Sequence, residues 1–183
     1  MNNQLSPIPW QTLLKKSVIW GLWLFVLALL QTSFFSFFDP FGAVPDLVLP
    51  AVIAIAVFDR ERMGTIAGIV GGFIIDALGG VGLSLSPLVY MICGVAAALL
   101  VHSIFRRDFL SWLILTALGL VISGAFSVIS AYASVSLENV AVGHIFSRLL
   151  IPTFFSSIII AIPFYFLTKL IWSRLFDNRE MEG

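Results

Sequence analysis

Charged side chains are scarce in this chain, at 11% of 183 residues, while 60% are apolar and mean hydropathy is +1.05. A water-soluble domain of this length cannot hide so much apolar side chain in one core. Cysteine is almost absent as well. With only Cys93, an internal disulfide is excluded, and no Cys/His cluster has metal-site spacing. Cys93 lies in an apolar run and reads as a small buried hydrophobe. No P-loop and no dinucleotide fingerprint occurs, and no gap between apolar stretches exceeds about a dozen residues, so a soluble catalytic domain has no room.

What the chain has is long apolar runs. A helix needs roughly 20 apolar residues to cross the hydrocarbon core. Six stretches come close, at about 17–38, 42–58, 63–79, 87–105, 109–133 and 146–172, with a tail of 1–16 before them and one of 173–183 after. Lys15 and Lys16 before the first run suggest a signal peptide, but the run is too long and its end, SFFSFFDP, lacks a small-residue cleavage pattern. It reads as a retained first span. Pro45 suits a first helical turn, Pro50 predicts a kink in the second span, and Pro152 and Pro163 predict bends in the sixth.

Orientation follows from the ten basic residues. With six spans, Lys15, Lys16, Arg60, Arg62, Arg106, Arg107, Lys169, Arg174 and Arg179 fall on one side and only Arg148 on the other. Positive charge gathers on the cytoplasmic side, which predicts both ends inside. Trp10, Trp20, Trp112 and Trp172 lie near the predicted inner ends, where amphipathic rings suit the headgroup zone. The expected fold is an all-α bundle of six transmembrane helices in the cytoplasmic membrane.

Inside the spans a few residues stand out. Gly64, Gly68 and Gly72 are four apart, a tandem that lets another helix approach closely. Either packing within the chain or docking of a partner helix would use it, and Gly119, Ser123, Ser127 and Ala131 offer a complementary stripe. Asp76 is an acid well inside the third span, near a helix C-terminus where the macrodipole disfavours it. Arg148, at similar outer depth, is its expected partner, against the simpler reading in which each reaches water separately. Asp46 in a first helical turn complements the dipole. Phe34, Phe35, Phe37, Phe38 and Phe41 gather at the predicted outer mouth, facing lipid or a partner.

Gly82-Leu-Ser84-Leu superficially resembles the nucleophile turn of an intramembrane serine protease. No glycine follows the serine, however, and nothing places His144 beside it. The chain is not expected to be an enzyme, and no cofactor or metal is expected.

Pro45, Asp46 and Leu47, followed by a short charged loop and then GIVGGFIIDALGGVGLSLSPLVY from Gly68 to Tyr90, carry a family likeness. This resembles the bacterial rod shape-determining MreD family, with Gly72, Asp76, Gly80 and Gly82 at its matching positions. The resemblance implies a non-enzymatic scaffold or regulator of the peptidoglycan-synthesising elongation machinery. Its implied partners are a single-span MreC-like protein, a polymerase–transpeptidase pair and, indirectly, an MreB-like actin filament. The family fold is expected to resemble the six-helix substrate-binding component of energy-coupling-factor vitamin transporters, which supplies a second reading: a small-molecule-binding subunit. Those components show an Ala-x-x-x-Ala contact in the first span, where this chain offers only Gly21 and Ala28.

Overall fold

The computed structural model describes residues 10–35, 37, 44–79, 86–103, 108–134 and 151–177. Among them the chain is helical apart from short connecting residues, with no strand. Helix α1 covers Trp10–Leu29 and runs on through a wider π-helical turn, Leu30–Phe35. Helix α2 is Val48–Gly79, α3 Ser86–Ser103, α4 Phe109–Ser134 and α5 Ile151–Trp172, the last ending in a π-helical turn, Ser173–Asp177. Three of these stretches are long and apolar enough to cross a membrane: Leu13–Phe35, Phe109–Ile129 and Ile151–Leu175.

Helix α2 is not one straight rod. A Cβ built on Gly64 would lie 2.7 Å from that of Ala56, and one on Gly71 would lie 3.0 Å from Val48 Cγ1. Along a straight helix those pairs would be about 12 and about 34 Å apart. The helical trace therefore doubles back around residues 59–62, the charged stretch Asp-Arg-Glu-Arg. Its two apolar limbs are Val48–Asp59 and Met63–Leu78. The sequence expectation of two spans broken at 59–62 corresponds to one helical hairpin.

The first limb is the centre of the molecule. Every residue from Leu47 to Asp59 is buried. Its sequence, VLPAVIAIAVF, is apolar on all faces, which suits a helix enclosed by others rather than one with a single buried stripe. The second limb and α3 lie on one side of it and cross at glycines. A Cβ on Gly64 would meet the Gly94 carbonyl at 3.0 Å, and one on Gly68 the Tyr90 carbonyl at 2.5 Å. Helix α4 approaches through Gly119, whose Cβ would sit 2.8 Å from Ile53 Cδ1. Helix α5 stacks Tyr165 and Trp172 on Phe58, with ring centroids 5.5 and 5.9 Å away. Trp23 Nε1 donates to Thr168 Oγ1 at 3.0 Å and joins α1 to α5.

Candidate functional site: a polar cap inside the bundle

A helix begins with four N–H groups that have no partner within it. In hydrocarbon each must find one inside the protein. At the start of α2 this requirement is met residue by residue. Asp46 N–H donates to Ser157 Oγ on α5 at 2.7 Å. Leu47 and Val48 N–H both donate to Gln31 Oε1, in the π-helical turn of α1, at 2.8 and 3.3 Å. Leu49 N–H donates to the Asp46 carboxylate at 3.1 Å, an N-cap within the chain. Pro50 has no N–H to satisfy, and Ala51 makes the first intrahelical bond, to the Leu47 carbonyl at 3.3 Å. The second Asp46 oxygen accepts the Tyr90 hydroxyl of α3 at 2.7 Å.

Four side chains, from α1, α3, α5 and the segment leading into α2, thus close one helix end. The prolines exchange their expected roles. Pro45 precedes the helix, whereas Pro50 occupies its first turn, where a missing donor costs nothing and no kink is required. The Pro50 carbonyl accepts Trp112 Nε1 at 3.0 Å. A broken helix in a membrane commonly aims free N–H groups at an anionic ligand. Here those groups are occupied by side chains of the chain itself.

A second polar cluster sits at the hairpin tip. Lys16 Nζ lies 2.7 Å from Asp59 Oδ1, and Trp20 Nε1 donates to Asp59 Oδ2 at 3.0 Å. Lys16 and Asp59 are each only 8% exposed. Trp20 and Trp112, expected in the headgroup zone, are 2% and 1% exposed and serve instead as buried donors.

A family model for rod shape-determining protein MreD matches residues 12–174, nearly the whole chain. The chain belongs to that family. It is therefore a bacterial inner-membrane protein of rod-shape determination. No curated protein and no solved structure matches it.

Of the residues singled out by sequence, the structure brings Pro45, Asp46 and Leu47 to the cap. Gly64 and Gly68 face α3 within the chain, at Gly94 and at Tyr90–Met91, and Gly72 is buried. The stripe beginning at Gly119 meets the first limb of α2 through Gly119 and not the glycine tandem. Asp76 is half-buried on the second limb, within electrostatic reach of the Tyr90 phenol. Arg148, Gly80, Gly82, Ser84 and His144 lie outside the described residues, as do Phe38 and Phe41. Phe34 and Phe37 are exposed, Phe37 at 92%. Cys93 is buried. Sequence reasoning missed Gln31, Tyr90, Ser157 and the Lys16–Asp59 pair. For Gln31 a signal existed: it opens a polar triplet, Gln31-Thr32-Ser33, that interrupts the apolar run between Leu30 and Phe34.

Proposed function

We propose that this chain is a six-span, non-enzymatic scaffold of the cell-elongation peptidoglycan synthesis complex, with both ends cytoplasmic. It binds an MreC-like single-span protein and a polymerase–transpeptidase pair, and through them couples to an MreB-like filament. The observation that carries this is the family match over residues 12–174. The chemistry of the interior fits it. Asp46, Gln31, Tyr90 and Ser157 are engaged in holding helices to one another, as are Lys16 and Asp59.

Contacts within the bundle support the topology. Lys16 meets Asp59, and Phe58 meets Trp172, so positions that six spans assign to the inner side lie together. Gln31, Asp46 and Ser157, assigned toward the other side, also lie together.

The test is depletion in a rod-shaped host with parallel purification from membranes. Depleted cells round up, and the tagged protein retains an MreC-like partner. Cysteines at Lys15 and Asp108, in a Cys93→Ala background, stay silent to an impermeant thiol reagent while one at Asn139 labels. Asp59 is a poor reporter because it is buried. Rods that persist while a nutrient requirement appears would replace this reading with the small-molecule-binding subunit.

A further inference from the structure

The bundle carries its own rulers. Helix α1 is tied to the hairpin at two heights, by Lys16 to Asp59 at the tip and by Gln31 to Leu47 at the cap. At 1.5 Å per residue, Gln31 stands about 22 Å above Lys16 along the helix, and Asp46 about 20 Å above Asp59. On the second limb Asp76 stands about 21 Å beyond Arg62. The crossings of Gly64 with Gly94 and of Gly68 with Tyr90 set the register of α3. That register brings Ser86, the first residue of α3, level with Gly72. The acid cap and the second acid therefore share one level, about 20–21 Å above the charged tip, and the start of α3 stands about 15 Å above it.

Helix α1 continues past this level. From Lys16 to Phe35 it runs uncharged for about 28 Å, close to the roughly 30 Å of a bilayer core. On the second limb a charge, Asp76, comes about 7–8 Å sooner, whereas on α1 Gln31 is engaged in the cap and Thr32 bonds back to the Ala28 carbonyl. Tilt would shorten the flank formed by the second limb and α3 further. It faces outward rather than into the bundle: Phe73 is 63%, Leu78 37%, Leu88 46% and Ile92 45% exposed.

A half-buried carboxylate requires a polar medium, and lipid tails supply none. Shortfalls of hydrophobic length are met by thinning of the bilayer. We propose that the flank of α2 and α3 depresses the outer leaflet, so that headgroups and water descend to the level of Asp76 while full thickness is kept at α1. The surface it fits is the lipid headgroup layer. This rests on the six-span reading for which side is outer.

Single cysteines at Ala77, Phe34 and Asn139 in a Cys93→Ala chain, in spheroplasts with an impermeant maleimide, test it. Ala77 and Phe34 are both exposed, and Phe34 is the higher on the ruler by about 4–5 Å. Thiols react as thiolates, and each unit by which hydrocarbon raises a thiol pKa slows labelling about tenfold. The proposal expects Ala77 to label at least about tenfold faster than Phe34, and Asp76→Leu to slow the Ala77 reaction. Equal rates at the two positions, or silence at Ala77 while Asn139 labels, would overturn it. Silence at Asn139 would instead remove the six-span reading, and the proposal with it.

Discussion

At the hairpin tip, the first limb of α2 ends on one carboxylate shared between an ammonium and an indole. At its other end, the same limb opens on a carboxylate, an amide and two hydroxyls arranged around backbone N–H groups. Both ends are polar and both are enclosed. The tip is a pair of side chains, and a pair can be removed together. The cap answers a demand of the backbone, which no substitution removes. The difference matters for a shape determinant that acts through helix contacts. The cap sets where α1, α3 and α5 stand around the central limb, whereas the polar group at the tip fastens α1 to it.

The largest effect is expected at the tip. Lys16→Met leaves the buried Asp59 carboxylate with the indole alone, and breaking a buried pair by removing one partner costs about 3–5 kcal/mol. The double variant Lys16→Met/Asp59→Asn keeps an acceptor for Trp20 and removes the unpaired charge. It should recover most of the loss in thermal denaturation of the detergent-purified protein. A double variant no more stable than the single one would show that the tip is not a removable pair.

Next comes the cap. Asp46→Leu leaves Leu49 N–H and the Tyr90 hydroxyl without acceptors; both bonds are only part-buried, so the lower half of the range, about 1–2 kcal/mol each, applies, for a total of about 2–4 kcal/mol. Asp46→Asn keeps an oxygen for Leu49, and the Tyr90 hydroxyl rotates to accept from the amide, so its cost stays near 1 kcal/mol. Neither loss should be recovered by changing Tyr90, because the Leu49 N–H remains. Recovery in an Asp46→Leu/Tyr90→Phe chain to wild-type stability would make the cap as removable as the tip.

The comparison also marks how far the sequence could be read. Membrane class is legible from hydropathy, because each helix meets the lipid requirement on its own. The glycine spacing at Gly64 and Gly68 is legible as close approach, but not which helix approaches, since several apolar faces would fit. The first limb of α2 has no polar face at all, so nothing in its pattern says what surrounds it. Lys16 and Asp59 are 43 positions apart, and each alone reads as an ordinary inner-loop charge; only the packing of α1 on the hairpin makes them a buried pair. Trp20 and Trp112 follow the same logic, because an amphipathic ring suits a headgroup zone and a buried acceptor equally. Pro45 and Pro50 were distinguishable only once the Asp46 cap fixed where the helix starts.

A small effect, comparable to that of Asp46→Asn, should come from Tyr90→Phe, which sharpens the comparison most. It removes one donor from the Asp46 carboxylate and leaves ring volume unchanged, while the Leu49 bond stays in place. A single hydrogen bond to a carboxylate is worth about 1.5–3 kcal/mol, and the lower end applies where the acceptor keeps another donor. Helix α3 is also held by contacts the hydroxyl does not touch: its backbone at Tyr90 and Met91 lies against Gly68, and Gly94 against Gly64. The variant should therefore melt slightly earlier yet restore rod shape to depleted cells. Gly68→Ala makes the counter-test. Its Cβ would stand 2.5 Å from the Tyr90 carbonyl and 2.7 Å from Met91 Cα, backbone atoms that cannot swing aside. Pushing α3 away in this manner should cost about 1–3 kcal/mol and weaken shape rescue. If Tyr90→Phe fails to restore rods while Gly68→Ala succeeds, the hydroxyl, and not the glycine crossing, sets the position of α3, and the cap governs that helix alone.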